Sequence, residues 1–430
     1  MHHALGAREA RSTRVQRACN MGFVKAPAAE AEHSLADLSP YQKRLLALLT
    51  LATLIEGFDA ALTMVALEGI GREFGADIVT LYDAISLLSW GAIASGAMIW
   101  CADRIGRKPA LLISLAAYGA FSLATARAPS LDAFAWLQCG GRLFMVAQLS
   151  LAYVMLSEEI PPALRGRANG LLGTFAGVGA ALPLAFSGID WRSYFLIGAL
   201  PLALAPIYAF ALRETGLFAA GARARTGSVI DDLRAFAAGG LLGRLAAITG
   251  MWFTLSFWSG GVLVGFLRFL SVERGWTGEM IRLLPWGTIP AGIAGYLLAG
   301  ALMDRVGRRA TAMLYFALSA LATIACYQAN AAWAIFASFC AVTALGGAWT
   351  VTNTLTAELF PTRLRATASG LAGSLLGRLG FVVGPLVAGR LAAALGGTSD
   401  AMALLAAVNL ACVILVWRWI PETRGRALTD

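Results

Sequence analysis

The sequence has little charge, few cysteines and almost no histidine, and each scarcity excludes a class of protein. Aspartate, glutamate, lysine and arginine make up 14% of the 430 residues, against about 25% in a soluble domain. The six cysteines include no CxxC pair, and the three histidines all precede residue 34. A disulfide scaffold and a metal or redox centre are therefore not expected, and neither is a cofactor. The 47 glycines follow no triplet period, which excludes a collagen-like chain.

Apolar residues are abundant instead, at 58% of the chain with a mean hydropathy of +0.69. One membrane-spanning helix needs about 20 predominantly apolar residues. Apolar stretches between charge clusters predict twelve such helices, at 45–70, 80–102, 109–126, 131–156, 168–187, 192–212, 245–270, 280–303, 310–328, 331–357, 366–395 and 401–420. The sequence therefore predicts an all-α membrane protein with twelve transmembrane helices.

The basic residues predict the orientation of these helices in the lipid bilayer. Of the 34 lysines and arginines, 25 lie in the N-terminal tail, the C-terminal end and five alternate connections, while the opposite connections hold six. The positive-inside rule then places both termini in the cytoplasm. Because the basic residues are dispersed in short connections rather than gathered on one soluble face, we expect no nucleic-acid partner.

An internal repeat divides the chain into two halves. The segment Cys101–Lys108, with Asp-Arg-x-Gly-Arg at its centre, recurs 201 residues later as Leu302–Arg309. A second pattern beginning at Glu158 recurs 200 residues later from Glu358. Two six-helix bundles of the same topology are the parallel repeats of alternating-access carriers, whose substrate lies between the halves. The expected parts are a cytoplasmic tail 1–40, bundles 41–213 and 244–421, a cytoplasmic linker 214–243 and a cytoplasmic tail 422–430.

These repeated segments resemble the major facilitator superfamily. The resemblance rests on the Asp-Arg-x-Gly-Arg-Lys/Arg loops after predicted helices 2 and 8, on the Glu-x-x-Pro-x-x-x-Arg ends of helices 4 and 10, and on Pro421-Glu-Thr-Arg-Gly425 after helix 12. It covers about residues 41–426. It implies a transporter with two pseudo-symmetric six-helix bundles.

Two further segments resemble one group within that superfamily. Glu56-Gly57-Phe58-Asp59 in predicted helix 1 is similar to the Asp-Gly-Phe-Asp of the aromatic acid:proton symporters, and Gly377-Arg378-Leu379-Gly380 in helix 11 is similar to the same group. The terminal Pro-Glu-Thr-Arg-Gly is shared with sugar porters. The chain departs from the family pattern at Ile99, where the loop motif usually begins with glycine, and at Val146 and Gln148, which replace two glycines that usually follow the arginine of helix 4.

Four charged side chains stand out within the predicted spans. A charge at the bilayer centre costs at least ~2.5 kcal/mol on insertion scales, so such residues usually face a cavity or a partner. Glu56 and Asp59 lie three residues apart and share one face of helix 1. Arg142 in helix 4 and Arg378 in helix 11 lie at a depth similar to that of Asp59.

We interpret Asp59 and Glu56 as proton-coupling residues and Arg142 and Arg378 as ligands for a substrate carboxylate. Arginine holds a carboxylate bidentately, and with no histidine or lysine in the predicted spans only a carboxylate could carry a proton there. Protonation of Asp59 would free an arginine for an anionic substrate. The alternative is that the four charges form structural ion pairs, or that one arginine caps a neighbouring helix.

The repeated loops predict a cytoplasmic gate. We expect the two loop aspartates to accept hydrogen bonds from helix N-termini and the loop arginines to pair with glutamates. The expected gate residues are Asp103, Arg104, Arg107, Glu158, Asp304, Arg305, Arg308, Glu358, Arg365 and Glu422. The alternative is that these charges only set the topology.

Aromatic and amide side chains in the second half complete the expected substrate site. Trp258, Trp349 and Asn353 are the candidates for ligand contact, although aromatic residues are common in membrane helices.

The sequence thus predicts a monomeric, multi-pass transporter of the inner membrane that carries a small organic anion, an aromatic or other carboxylate, together with protons. One alternative is the same fold moving a sugar-like or cationic solute or exporting a drug, and another is a transport-dead membrane sensor. An enzyme is not expected, because no set of nucleophile, base and orienting residue is present.

Overall fold

The computed structural model describes residues 35–186, 188–219 and 229–424. Twelve of its helices are long and apolar enough to cross a membrane, as predicted. They are α1 (Pro40–Phe74), α2 (Ile78–Ala102), α3 (Arg107–Thr125), α4 (Leu131–Glu159), α5 (Ala168–Ala185), α6 (Trp191–Ala211), α7 (Leu242–Glu273), α8 (Gly278–Arg305), α9 (Arg308–Gln328), α10 (Ala332–Thr356), α11 (Thr367–Leu395) and α12 (Thr398–Trp419). Short helices at Leu35–Asp37, Gly216–Ala219 and Val229–Ala238 lie before α1 and between α6 and α7.

Local capping explains why α1 is longer than the apolar run that predicts it. Ser39 and Gln42 form a reciprocal capping box at its N-terminus, with Pro40 in the first turn. At its other end Gly75 adopts the left-handed conformation at φ +61°, which favours glycine. These caps let α1 continue for several polar residues beyond each end of the apolar stretch 45–70.

Several spans contain a break or a wider turn that the hydropathy pattern does not reveal. Gly346 and Gly347 interrupt α10, and π-helical turns occur in α7 and α11. Six spans consist of shorter helical segments. They are Trp191–Gly198 and Leu200–Ala211 in α6; Leu242–Phe257, Trp258–Leu263, Phe266–Arg268 and Phe269–Glu273 in α7; Gly278–Ile281 and Leu284–Arg305 in α8; and Thr398–Ala406 and Val408–Trp419 in α12. In α10 they are Ala332–Leu345 and Ala348–Glu358, the second of which extends beyond the apolar span, and in α11 they are Thr362–Ser369, Gly370–Leu376 and Leu379–Leu395, the first of which begins before it.

The buried side chains form three clusters, and their membership shows how the two bundles meet. We call the end where α1 begins and α12 ends the termini end, and the opposite end the far end. One cluster joins both halves through residues near the far end, such as Tyr82 and Phe269. The other two clusters each remain within one half, between residues 35 and 212 and between 235 and 420. The halves therefore pack together towards the far end and keep separate cores towards the termini end.

Glycine allows α1 and α5 to cross at backbone distance. A Cβ atom added at Gly179 would lie 3.0 Å from the Phe58 nitrogen and closer still to the Leu54 carbonyl, both in α1. A Cβ atom added at Gly177, two residues earlier in α5 and on another face of the helix, would meet nothing within 4 Å. Close approach through small residues is a main source of helix association in membranes, where the hydrophobic effect does not drive it.

We expect Gly179→Ala to destabilise the N-terminal bundle by about 1–3 kcal/mol, the usual cost of overpacking. Gly177→Ala is the matched control, and it should be neutral or stabilising by about 0.5–1 kcal/mol because alanine favours the helix. Thermal unfolding of the purified variants in detergent measures both effects. Equal melting temperatures for the two variants would contradict the close-packing argument.

Candidate functional site

The buried carboxylates Glu56 and Asp59 lie on α1 in the interior of the N-terminal bundle. Their exposed fractions are 6% and 7%. The Ser122 Oγ of α3 lies 3.4 Å from Asp59 Oδ1 and donates a 2.9 Å hydrogen bond to the Phe195 carbonyl. Asp59 is thus held against α3 and α6 by a weak contact, which leaves most of its hydrogen-bonding capacity unused.

Two arginines approach these acids from opposite bundles: Arg142 interacts electrostatically with both Asp59 and Glu56, and Arg378 with Glu56. Glu56 interacts electrostatically with Asp59, Arg142 and Arg378, and the two arginines also interact with each other. Arg142 Nη2 lies 3.4 Å from Thr63 Oγ1, while its buried Nε has no hydrogen-bond partner in the described part of the chain. The structure therefore brings together the four charges that the sequence singles out.

No ion pair closes within this cluster. Among the salt bridges of the described residues, none joins Arg142 or Arg378 to a carboxylate within 4.0 Å. Both arginines are also only partly buried. A structural brace would hold the charges in direct contact, so this arrangement argues against the alternative in which they only lock the helices. It leaves guanidinium N–H groups available for an anion.

The internal repeat explains how Asp59 comes to lie in a core position. Gly179 meets Leu54 and Phe58 of α1, and Gly380 meets Phe253 and Phe257 of α7, so α1 maps onto α7 with a displacement of 199 residues. Asp59 then corresponds to Trp258. The two repeated loops before α3 and α9 are 201 residues apart, and the same displacement relates Ser122, which contacts Asp59, to Thr323. Trp258 Nε1 donates to Thr323 Oγ1 at 3.1 Å, so the contact between the two helices recurs.

This equivalence corrects the expectation for Trp258. Its side chain is 3% exposed and packs in the core cluster, with its only polar group bonded to α9. The structure therefore does not place Trp258 among the residues available to a substrate. The same position carries a carboxylate in one half and a core indole in the other.

A π-helical turn positions Arg378. The two halves match at a displacement of 200 residues up to Gly173 and Gly373, but Gly179 and Gly380 match at 201. The second half therefore has one extra residue between these points, and the π-helical turn Gly370–Leu376 accommodates it, with the Gly377 N–H bonded to the Ala372 carbonyl at 2.9 Å. Such turns occur frequently at functional sites. Arg378 is the second residue after this turn.

Aromatic side chains of the C-terminal bundle lie beside Arg378. Phe381 follows it by three residues, and its ring stacks on Trp349 with centroids 6.4 Å apart and an interplanar angle of 16°. Trp252 meets Trp349 edge-on at 5.5 Å. All three rings are partly exposed. Asn353, one turn beyond Trp349, is exposed and donates to the Trp349 carbonyl at 3.1 Å.

Four of the expected gate residues form one brace in each bundle, Arg107 with Glu158 and Arg308 with Glu358. In the first, Arg107 Nε lies 3.3 Å from Glu158 Oε1, and Thr215 Oγ1 donates to the other oxygen of Glu158 at 2.5 Å. In the second, Arg308 Nε donates to Glu358 Oε1 at 3.3 Å, and Thr423 Oγ1 donates to Glu358 Oε2 at 2.5 Å. These contacts tie the start of α3 or α9 to the end of α4 or α10 and to the chain after α6 or α12, all within one bundle.

A glutamate also caps the helix N-terminus in each brace. Glu422 Oε1 accepts from the Arg308 N–H at 2.8 Å, and Glu214 Oε1 accepts from the Arg107 N–H at 3.0 Å. Burial raises the pKa of Glu422, but hydrogen bonds from four backbone N–H groups outweigh it and hold that pKa below its ordinary value. Sequence reasoning found Glu422 and missed Glu214, although the dipeptide Glu-Thr recurs at 214–215 and 422–423.

Several expectations for the gate require correction. Arg104 and Arg305 are exposed, and Arg104 lies over the ring of Trp100 at 3.2 Å rather than against a glutamate. Asp304 pairs with Arg308 at 3.2 Å, while the helix N-terminus that it was expected to cap is capped by Glu422. Glu422 binds backbone N–H groups rather than a guanidinium. The side chains of Asp103 and Arg365 lie outside the described residues.

Two polar contacts at the far end cross between the bundles, and sequence reasoning missed both. Arg390 Nη1 of α11 lies 2.7 Å from Asp83 Oδ1 of α2. Ser271 of α7 donates to Glu68 of α1. No local pattern reveals these pairs, since the partners are about 300 and 200 residues apart and belong to different halves.

The chain resembles known proteins in both sequence and structure. The sequence model of the Major Facilitator Superfamily matches residues 49–281 and 253–430. The chain is 32% identical over 390 residues to the 3-(3-hydroxy-phenyl)propionate transporter of Escherichia coli strain K12, covering 86% of this chain and 92% of that protein. It is 28% identical over 375 residues to the niacin transporter of Acinetobacter baylyi, covering 79% and 84%. The crystal structure of a D-xylose-proton symporter superposes with a TM-score of 0.72 at 18% identity, covering 90% of this chain and all of that one.

We expect Arg390→Ala to favour opening at the far end, because it removes a half-exposed ion pair worth about 0.2–1 kcal/mol. The measurement is the labelling rate of a cysteine at Ser86, buried on α2 near Asp83, by a membrane-impermeant maleimide in a background without native cysteines. A rise of up to about fivefold is expected from that energy. Asp83→Arg combined with Arg390→Asp should restore slow labelling, and equal rates in all variants would refute the closing role.

Proposed function

Because this chain belongs to the major facilitator superfamily, it is a multi-pass membrane transporter, and we propose that it carries an aromatic carboxylate together with a proton by alternating access between its two bundles. The observation that carries the proposal is the cluster of Glu56, Asp59, Arg142 and Arg378, in which two buried acids lie with two partly buried arginines and no ion pair is closed. The cluster is positioned to accept one more charged partner.

The two arginines provide the carboxylate site. Arg142 comes from the N-terminal bundle and Arg378 from the C-terminal bundle, so a carboxylate held between them contacts both halves at once. Planar guanidinium groups bind carboxylates through paired hydrogen bonds. A ligand that links the halves favours the conformation in which they approach, which is what alternating access requires of a substrate.

The rings beside Arg378 support an aromatic substrate. Trp252, Trp349 and Phe381 present partly exposed faces next to the proposed carboxylate site. Offset or edge-on contact with an aromatic ring adds about 0.5–1.5 kcal/mol beyond area burial. Asn353 offers its exposed amide to a ring substituent such as a hydroxyl. The two similar transporters named above carry ring-bearing acids, 3-(3-hydroxyphenyl)propionate and niacin, which supports the same class here.

The need for charge neutrality in the cluster couples proton binding to carboxylate binding. With both acids ionised the cluster of four has no net charge, and a bound carboxylate makes it negative in a region where uncompensated charge is costly. Protonation of Asp59 restores neutrality and releases the attraction of that acid for Arg142. The proposal therefore couples one proton to one carboxylate.

The basic connections at the termini end support a cytoplasmic location for both termini in the inner membrane. We propose that the protein acts there as a monomer. In that orientation the closed far end faces outward, and the separated cores lie towards the cytoplasm. Import driven by an inward proton gradient is the direction that we propose.

The proposal predicts distinct defects for Asp59→Asn and Arg378→Ala in proteoliposomes. Asp59→Asn should abolish gradient-driven accumulation of 3-(3-hydroxyphenyl)propionate and retain its exchange across the membrane at equal pH. Arg378→Ala should weaken binding at least about thirtyfold, because loss of one partner from a buried charge pair costs about 2–5 kcal/mol. Uptake of labelled substrate and calorimetric binding measure the two effects.

Asp132→Asn is the control, since Asp132 is an exposed carboxylate in the first turn of α4. It should transport like the parent protein. Transport of sugars or cations but not carboxylates by the parent, or unchanged carboxylate transport by both test variants, would refute the proposal and favour a structural role for the four charges.

A further inference from the structure

A file of buried polar side chains runs along α3 from Asp59 towards the termini end. Ser122, Tyr118 and Ser114 recur every four residues and so share one face of the helix. Their exposed fractions are 1%, 1% and 0%. Ser122 contacts Asp59, and from there to Ser114 the file extends about 12 Å along the helix axis.

Two of these hydroxyls are buried without a partner. Tyr118 Oη and Ser114 Oγ have no hydrogen-bond partner in the described part of the chain. Tyr118 also interacts electrostatically with Asp59 and Glu56 of α1 and with Tyr208 of α6. Burial of an unsatisfied polar group costs about 1–3 kcal/mol, so the position calls for a ligand that the protein itself does not supply.

Gln148 of α4 lies opposite the end of this file. Near the far end, Gln138 bonds to Thr125 at 2.9 Å, and a Cβ atom added at Gly141 would lie 3.3 Å from Phe121 Cβ. These contacts set the antiparallel register of α3 and α4. Two helical turns further, seven residues along each helix, the same register pairs Gln148 with Ser114.

The amide of Gln148 is unpaired as well. Its side chain is fully buried, and both Nε2 and Oε1 lack a partner among the described residues. Gln148 stands where the family pattern usually has glycine, so the chain places a large polar group in a position of close helix contact. By this register, Ser114, Tyr118 and Gln148 are neighbours, and together they have four unsatisfied donor or acceptor atoms.

The C-terminal bundle satisfies the corresponding positions. The spacing of 201 residues between the two repeated loops also relates Ser114 to Tyr315 and Tyr118 to Ser319. Tyr315 Oη donates to the Gly295 carbonyl at 2.7 Å, and Ser319 Oγ donates to the Phe316 carbonyl at 2.9 Å and accepts from Asn409. The unsatisfied file therefore occurs in the bundle that contains the buried carboxylates and not at the equivalent place in its partner.

We propose that Ser114, Tyr118 and Gln148 hold a chain of ordered water molecules that leads protons from Asp59 towards the termini end through the interior of the N-terminal bundle, apart from the substrate path between the bundles. Buried waters typically make two to four hydrogen bonds to such orphaned groups, and a continuous hydrogen-bonded chain conducts protons. The inference rests on the proposed proton coupling and adds its route.

A proton route separate from the substrate path benefits the transport cycle. Glu56, Asp59 and Arg142 face the substrate site, and a carboxylate bound there blocks access of water to Asp59 from between the bundles. A path through α3 and α4 lets Asp59 release its proton while the substrate site is still occupied. Ser122 joins the two regions, because it touches Asp59 and stands at the head of the file.

The test uses Ser114→Ala, Tyr118→Phe and Gln148→Leu, each of which removes polar atoms of the file and keeps most of the side-chain volume. Full-length protein in liposomes is assayed with 3-(3-hydroxyphenyl)propionate for gradient-driven uptake, for substrate-dependent proton entry with an internal pH dye, and for exchange at equal pH. Uptake and proton entry should fall roughly tenfold, because the loss of one buried hydrogen bond from a network lowers a rate by about that factor. Exchange, which requires no net proton movement, should remain within about twofold, well under the roughly tenfold change that 1.4 kcal/mol represents.

Ser319→Ala is the matched control, because it removes the corresponding hydroxyl in the bundle without a buried acid. It should change neither uptake nor exchange. Parent-like proton entry in all three test variants would overturn the water path, and so would equal losses of exchange and uptake, which indicate a structural role. Absence of substrate-dependent proton entry in the unmodified protein would instead overturn the proposed function itself.

Discussion

Buried charge in a bilayer must be balanced, and this requirement organises the centre of the protein. Glu56, Asp59, Arg142 and Arg378 come from three helices and both bundles, and their charges sum to zero. None of them can be removed, protonated or joined by another ion without changing the electrostatic balance of the rest. The site is therefore sensitive to the addition of one proton or one anion, which is the property that a coupled carrier needs.

The rest of each bundle keeps its shape around this centre. At the termini end, Arg107 and Glu158 in one half and Arg308 and Glu358 in the other connect three helix ends through the same hydrogen bonds. Because these braces act within a bundle, they stiffen each half without joining the two. At the far end the halves share a buried apolar cluster, and the partly exposed polar pairs across it, such as Asp83 and Arg390, add little energy. Stiff bundles that pack together towards one end favour rocking over bending.

Much of this arrangement follows from the sequence alone. The twelve spans, the repeat and the four buried charges are local or periodic features, and the structure confirms the helices and brings the charges together. The sequence did not predict the Asp83–Arg390 pair or the buried location of Trp258, because both depend on how distant helices face one another. Glu214 was missed for a different reason: its Glu-Thr repeat is only two residues long and falls outside the longer family motif.

The inserted turn in α11 shows that the two halves differ by length as well as by substitution. Asp59 differs from its counterpart Trp258 by a change of side chain at an equivalent position of the repeat, whereas Arg378 follows a residue that the first half lacks. A π-helical turn confines that addition to one turn of helix, so Gly380 still meets α7 as Gly179 meets α1. The bundles can therefore retain matching shapes, and so a symmetric motion, while the chemistry at their shared centre is entirely asymmetric.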